Sequence, residues 1–486
     1  MDDRGSWRLM NRTVQAHTNE QGTVFWAVLA VLLVTSLLFS SVVLYGAWHQ
    51  SQNRLFLYRI QARYLAEAAL AQAQAHLGSL DASELARGIT ISDSLPHNQR
   101  WSATVSPWGC YLRTLCTGSS HQTTYSIDAL LGRGPSSAFN FSLRLFGPPY
   151  PLVVAGQTRI AGDVNVGPGG VTSGQYRGRE RQDTILVAGR TVTDPPPQPI
   201  PFDWETLNRF TEWLDETRDQ NSAQSDRTLI IDDAWEVASA DSVIVVDAPV
   251  VISRARPLMS TRPLVLFATG PVTISGSTRI DGRWVIRSDR TITVKDAADL
   301  AGVVLWAPHI EISGRARFSG QAIADTLLEV RDQARTIFPA LLWVAGQSGR
   351  SSKPALKLES TKWCEGVAGI SAITGPWEWM LAAENSGQLL LDPQSGWRGY
   401  LYVNGKAVIR GIVAGSVNAE LLVVEDPPTT YLNWLLDAKV SRPAWQGSTA
   451  LPAIMNCSQR WEVAEYLETQ DRDSKVESSS YNEAEP

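Results

Sequence analysis

The residues whose types could best support chemistry are three carboxylates that lie among arginines in one stretch of the chain. The carboxylates are Asp281, Asp289 and Asp296, and the arginines beside them are Arg279, Arg283, Arg287 and Arg290. β-Helix enzymes that cleave acidic polysaccharides gather carboxylates and a basic residue along one groove, because the reaction needs proton transfer. The same alternation of charges is typical of a solvated strand surface, and we favour that interpretation.

Other catalytic signatures are absent from the sequence. It contains no Gly-x-x-x-x-Gly-Lys-Ser/Thr loop, no Gly-x-Ser-x-Gly elbow and no His-Glu-x-x-His pair. The six histidines are too scattered to suggest a metal cluster or a catalytic triad. We therefore expect a protein that is not an enzyme, with no catalytic residue, cofactor or metal site.

Two of the four cysteines, Cys110 and Cys116, lie close together in a predicted strand and turn. A disulfide between them would be consistent with an oxidising compartment, and their spacing does not resemble a zinc site. Two free buried thiols fit the sequence equally well.

The elements that would position any functional surface begin with an uncharged segment near the N-terminus. Residues 21–53 contain no Asp, Glu, Lys or Arg, and the run 24–44 is apolar. A helix of this length crosses a hydrocarbon core of about 30 Å at about 1.5 Å per residue. A cleaved signal peptide fits less well, because the run is long and the residues before it are not strongly basic. Three arginines on each side leave the orientation open.

The helix is expected to continue beyond the membrane, and strands are expected after it. Apolar residues recur at three- and four-residue spacing to about Leu77, where Gly78 can end the helix. The predicted organisation is a short cytoplasmic N-terminus (1–21), a transmembrane helix (22–48), a helix extension (49–78), a small β module (79–150), a first β-solenoid segment (151–194), a proline-rich linker with a short amphipathic helix (195–225), the main β-solenoid domain (226–460) and an acidic, disordered tail (461–486).

A pair of glycines six residues apart occurs four times and decides the predicted fold. The pairs are Gly156 and Gly162, Gly276 and Gly282, Gly314 and Gly320, and Gly405 and Gly411. Between them apolar or small residues alternate with mostly polar ones, as in a strand with one buried face. We interpret these as corner glycines of stacked coils of about 18 to 20 residues, with six, two and five coils separating the copies. The predicted fold is mainly β, with a long N-terminal helix, a small β module and a β-solenoid or β-helix-like domain; a β-sandwich is the alternative.

The first eighty residues resemble type IV pilin-like proteins, in particular minor pilins and the pseudopilins of type II secretion. The shared features are Glu20-Gln21-Gly22 before an uncharged helix, and a segment from Arg63 to Leu70 similar to one common in minor pilins. The resemblance implies a prepilin-type cleavage between Gly22 and Thr23. Most pilins carry Glu at the fifth mature position, where this chain has Ala27, a departure shared with the pseudopilin that caps the type II filament.

The predicted function is that of a structural or assembly protein of a surface appendage or secretion apparatus, anchored in the bacterial inner membrane by one helix. Its β-domain would lie in the periplasm or at the cell surface. Expected partners are membrane lipid, other pilin-like or secretion subunits, and surface polysaccharide; the net charge of −6 argues against nucleic acid. The alternatives are an anchored β-helix that binds or cleaves polysaccharide, and a cytoplasmic scaffold with a bactofilin-like β domain.

Overall fold

A computed structural model describes residues 7–178, 181, 183–221, 226–235, 242–345, 354–371, 387–442, 450–456, 458 and 460–473. The protein is mainly β with one long N-terminal helix, as the sequence predicts. The β-sandwich alternative is wrong, because the strands of the large sheet pair in parallel from coil to coil.

The described helices are α1 (Trp7–Leu77), α2 (Ala82–Arg87) and α3 (Trp204–Asp219), with 3-10 turns at Ser137–Asn140 and Gly167–Gly169. The strands are β1 (Ile89–Leu95), β2 (Gln99–Trp108), β3 (Tyr111–Ser120), β4 (Thr123–Arg133), β5 (Leu143–Leu145), β6 (Leu152–Ala155), β7 (Arg159–Ala161), β8 (Val164–Asn165), β9 (Val171–Ser173), β10 (Val187–Ala188), β11 (Thr191–Val192), β12 (Leu229–Ile231), β13 (Val243–Val246), β14 (Val250–Ile252), β15 (Leu258–Ala268), β16 (Val272–Ile274), β17 (Arg279–Ser288), β18 (Thr291–Val294), β19 (Asp299–Ile312), β20 (Arg317–Asp332), β21 (Arg335–Thr336), β22 (Leu341–Val344), β23 (Ala355–Ser360), β24 (Trp363–Ser371), β25 (Gln388–Leu391), β26 (Gly396–Ile409), β27 (Ile412–Asp426), β28 (Thr429–Leu432), β29 (Trp434–Leu436), β30 (Lys439–Ser441) and β31 (Trp461–Asp473).

The small β module is an antiparallel sheet in the order β1-β2-β3-β4-β31. Its last strand comes from the C-terminal part of the chain, so the whole solenoid is inserted between β4 and β31. The two ends of the insertion are joined by a backbone pair, since the amides of Arg133 and Leu451 each donate to the other residue's carbonyl, at 2.8 and 2.7 Å.

The predicted disorder from residue 461 is therefore wrong for β31. Trp461 is 5 % exposed and its ring lies 4.1 Å from the guanidinium carbon of Arg133, while Ala464 is also buried. The acidic composition does not reveal the strand, because β31 is defined by backbone pairing that completes the free edge of β4. Residues 474–486 of the predicted tail lie outside the described residues.

Each coil of the solenoid places one strand on each of three faces. In one coil, β16 forms the first face, β17 as far as Gly282 forms the second, and β17 from Trp284 forms the third. In the next coil β18 pairs with β16, and β19 pairs with both halves of β17, in parallel. Alternate apolar side chains point inward, where they form one continuous core along the solenoid.

The two predicted solenoid segments form a single solenoid. β27, β29 and β30, from the last coils of the main domain, pair with β5, β6 and β7. Beyond these, β7 and β8 pair with β10 and β11. Residues 143–192 thus add coils after residue 441, although they come earlier in the chain, and β5 belongs to the solenoid although the sequence places it in the module (79–150).

The outer surface of the third face is largely apolar as well. Successive coils place Val245, Phe267, Arg287, Trp306, Ile323, Trp343, Gly369 and Tyr402 in register along it. The segment predicted as linker and amphipathic helix covers this row: Phe202 lies 5.4 Å from Trp343, and Phe210 of α3 lies 6.1 Å from Trp306, between ring centroids. This segment returns the chain from the coils at 143–192 to β12 at the opposite end.

The corner between the first and second faces uses glycine and aspartate in turn. Gly276, Asp296, Gly314 and Asp332 occupy it on successive coils, with φ of 74°, 63°, 70° and 62°. Each aspartate accepts a hydrogen bond from the amide of the preceding glycine, at 2.9 Å to Asp296 and 3.0 Å to Asp332. Both residue types tolerate the left-handed conformation, so the corner repeats although the sequence does not.

The other repeat glycines occupy several kinds of corner. Gly156 (φ 62°) turns the same corner as Gly276, Gly162 and Gly282 (φ 120° and 111°) turn the next one, and Gly320 packs there against the backbone of Val303. Gly405 and Gly411 instead flank a strand of the first face, the end of β26.

The predicted coil counts hold only where the coils are short. Two coils separate Gly276 from Gly314, as expected. The six coils predicted between Gly156 and Gly276 are wrong, because Gly156 lies beside Asp437 at the other end of the solenoid. The count of five from Gly314 to Gly405 fails because some later coils are longer than 20 residues.

Two glycine variants separate backbone strain from crowding at the corner. Gly276→Ala should cost about 1 kcal/mol, the ordinary penalty of a left-handed alanine, since the nearest atom to its Cβ would be Ser253 Oγ at 3.5 Å. Gly314→Ala should cost clearly more, because its Cβ would lie 2.7 Å from the Asp296 amide nitrogen. Thermal unfolding of both variants measures the difference, and equal midpoints would contradict this account of the corner.

Candidate membrane anchor and its attachment to the β-domain

The stretch of α1 from residue 24 to residue 57 is exposed, and its part 24–44 is apolar. Every described side chain from 24 to 57 is exposed, including Leu33 at 56 % and Leu44 at 70 %. The helical stretch Val24–Leu77 is long and apolar enough to cross a membrane, and its most apolar window buries nothing within the protein. An apolar surface of this extent needs a cover that the rest of the described chain does not supply.

The predicted cleavage position lies inside α1, immediately before this exposed stretch. The backbone is helical from Trp7 onward, so Gly22 and Thr23 are both helical. Ala27, at the position where most pilins carry glutamate, is exposed. Cleavage between Gly22 and Thr23 stays a prediction.

The second half of α1 is held on the module by a row of alanines. Ala62, Ala66, Ala69 and Ala73 are all fully buried against the sheet. Their small side chains let the helix approach the strands closely, and at Gly118 of β3 the backbones come so near that no side chain would fit. The helix is thereby fixed to the sheet over about four turns.

The segment that resembles minor pilins lies within this attachment. Ala66, Ala69 and Leu70 are buried, while Arg63 and Glu67 point outward and form an ion pair of 2.8 Å. An exposed pair of this kind contributes little stability, so the apolar members of the segment hold the helix.

Charged groups join the module to the solenoid. Asp128 of β4 is 1 % exposed and pairs with Arg113 of β3 at 2.7 Å and with Arg283 of β17 at 2.6 Å. Nearby, burial and then the charge of Asp281 raise the pKa of Glu465 in β31 to about 7. Removing either arginine would leave a buried carboxylate short of a partner, which is costly.

The side chain of one glutamine, Gln321, holds the β2–β3 turn of the module against the third face of the solenoid by hydrogen bonds. The Gln321 side chain accepts from the Cys110 amide at 2.8 Å and donates to the Trp108 carbonyl at 3.0 Å. Gln321 is 3 % exposed, and Gly109 in the turn has φ of 63° and leaves room for the amide. Two buried hydrogen bonds of this kind contribute about 0.5 to 1.5 kcal/mol each.

The proposed disulfide between Cys110 and Cys116 is wrong, and the alternative of free buried thiols describes the structure. Cys110 faces the solenoid, whereas Cys116 lies under α1. Six residues of extended chain separate their Cα atoms by roughly 20 Å, against a limit of about 7 Å for a disulfide. Burial raises the pKa of both thiols, that of Cys116 to about 12, so both stay protonated and unreactive.

The carboxylates singled out from the sequence do not converge on one groove. Asp281 pairs with Arg279 at 3.2 Å, and Asp289 pairs with Arg218 of α3 at 3.4 Å. Asp296 accepts the hydrogen bond from the Gly276 amide at the corner between the first and second faces. In the part of the chain that the structure describes, no three His, Cys, Asp or Glu side chains are grouped so that they could hold a metal ion.

No known family matches the sequence, and no curated protein is similar to it. Among solved structures, the chain is similar to the competence-associated pilin ComZ from Thermus thermophilus, at 12 % identity and a TM-score of 0.23, over 85 % of this chain and 98 % of that chain. A TM-score this low carries no argument about function.

Gly118→Ala tests the attachment of the anchor. The new Cβ would lie 2.8 Å from Leu65 Cβ and closer still to the backbone of Ala62 and Ala66, so helix and sheet must separate, at a cost of about 2 kcal/mol. Gly134→Ala is the matched control, because its nearest neighbour would be the flexible Glu462 carboxylate at 3.3 Å. Thermal unfolding of the full chain in detergent should show the loss for Gly118→Ala alone; equal stability of the two variants would contradict the close packing.

Proposed function

We propose that this chain is a membrane-anchored, pilin-like structural or assembly protein of a surface appendage or secretion apparatus, which presents a β-domain outside the cytoplasm. The observation that carries the proposal is the division of α1 into two halves. Residues 24–57 are exposed and largely apolar, whereas the part from Ala62 to Leu77 is seated on the module. The helix therefore projects from a folded domain as an anchor.

The exposed half of α1 also suits lateral association with other helices. It carries the small residues Ala27, Ala30, Ser36, Ser40, Ser41 and Gly46. At Gly46 no atom lies within 4 Å of where a Cβ would be, so another helix can approach its backbone there. Packing of small residues is a main source of helix association in lipid. The partners proposed on this basis are membrane lipid and other pilin-like or secretion-apparatus subunits in the bacterial inner membrane.

Paired arginine substitutions locate the part of α1 that holds the protein in the membrane. Leu33→Arg with Leu37→Arg puts two charges into the proposed span, at a cost of about 2.5 to 3.5 kcal/mol each, and should release the protein in an alkaline wash of isolated membranes. Leu55→Arg with Leu57→Arg makes the same chemical change beyond the span and should leave the protein membrane-bound. Soluble wild-type protein, or equal release of both variants, would rule out the anchor.

Processing at Gly22 tests the pilin-like part of the proposal. In a host with a prepilin peptidase, intact-mass measurement of the membrane protein should give a chain that begins at Thr23, because the apolar helix follows directly. Gly22→Leu should give the full-length chain, while Gly46→Leu, a control within the same helix, should be processed normally. A wild-type chain that keeps Met1 would remove the pilin-like assignment and leave a simple anchor.

A further inference from the structure

A wide cleft opens where one coil lacks its tight corner. In the coil next to it, β6 passes to β7 through the left-handed Gly156. In the outermost coil, β9 ends at Ser173 and β10 begins only at Val187. Tyr176, Arg177 and Asp183, which lie between these strands, line a cavity of about 1230 Å³, larger than the pockets of about 300 to 1,000 Å³ that hold small molecules.

The cleft is lined mainly by polar and charged side chains. Its described lining consists of Gly156, Gln157, Thr158, Arg159, Tyr176, Arg177, Asp183, Leu436, Asp437 and Lys439. Three of these lining residues are cationic, and Tyr176 contributes an aromatic wall.

Two of the cations are available to a ligand. Arg177 is engaged by Asp426, and Asp437 accepts from the Gln157 amide at 2.8 Å. Arg159 and Lys439 are exposed, face each other on the paired strands β7 and β30, and form no ion pair with a described residue. Neighbouring strands are about 4.8 Å apart, so the two positive charges sit side by side on the cleft floor.

We propose that this cleft binds a segment of an acidic polysaccharide, with Arg159 and Lys439 on its carboxylate or sulfate groups. The size of the cleft fits several linked sugar units. Gln157 and Asp183 offer donors and acceptors for hydroxyl groups, and Tyr176 offers the aromatic surface against which a sugar ring packs. This binding activity is separate from anchoring and needs no reaction at the bound chain.

A nucleic acid suits the cleft less well. A protein that makes 6 to 10 phosphate contacts with DNA needs many cations, whereas among the described lining residues only Arg159 and Lys439 are cations without an ion pair, and Asp183 adds a carboxylate. The net charge of −6 also opposes a polyanion that covers a large surface.

The test is calorimetric titration of the full chain in neutral detergent micelles with oligogalacturonate as the acidic probe and maltohexaose as the neutral one. Arg159→Gln with Lys439→Gln should weaken oligogalacturonate binding at least tenfold. Arg317→Gln with Arg335→Gln is the matched control, since these arginines also face each other on paired second-face strands but lie outside the cleft, and it should change affinity less than twofold. Circular dichroism and thermal unfolding of both variants check that the fold is intact.

Several outcomes would overturn the proposal. These are the absence of oligogalacturonate binding by the wild type, an equal loss in both double variants, or binding of maltohexaose as tight as that of the acidic probe. A single-stranded DNA oligomer of matched charge is the last comparison. If it binds as tightly and depends equally on Arg159 and Lys439, the cleft is a general polyanion site and the assignment to polysaccharide fails.

Discussion

The third face of the solenoid is apolar on both of its sides, and the arrangement of the molecule depends on that constraint. A solenoid strand normally buries one side and exposes the other, but here Trp306, Ile323 and Trp343 point away from the core. Exposed in water, such a row would drive association, so the chain has to cover it. One cover is the 200–219 segment with α3, and the other is the β2–β3 turn of the module. The need for cover thus determines where the chain crosses back along the solenoid and where the module docks.

Covering this face also ties α1 to the β-domain. The alanine row of α1 packs on one side of the module sheet, while Asp128 and the β2–β3 turn contact the solenoid from the other side. Because each contact is buried and close-packed, the helix, the module and the solenoid are rigidly coupled. Apolar contact alone would allow the module to slide on the solenoid. The ion pairs of Asp128 and the hydrogen bonds of Gln321 fix its position, because each has partners at defined distances.

The sequence predicts the parts of this fold that depend on local pattern. The apolar run, the alanine spacing and the alternation between glycines lead to the long helix and to the stacked coils. Three features that depend on tertiary partners cannot be read from the sequence pattern. The placement of residues 143–192 beyond residue 441 results from pairing between strands almost 300 residues apart, and Asp296 and Asp332 stand in for glycine at a corner where a glycine search does not find them. Gln321 carries no local signal either, because its role exists only once the β2–β3 turn meets the third face.

The connection between module and solenoid explains how one attachment can hold an elongated domain. The chain leaves the module after Arg133, enters the coils at β5, runs to the far end, winds back and re-enters the module before Trp461. The chain segments that leave and re-enter the module are joined by the two backbone hydrogen bonds between Arg133 and Leu451. With both covalent ends fixed in one place and Gln321 held on a coil between them, the solenoid cannot swing about a single flexible linker. An inserted domain of this design keeps a fixed orientation relative to the helix that carries it, which the proposed presentation of a surface away from a membrane would require.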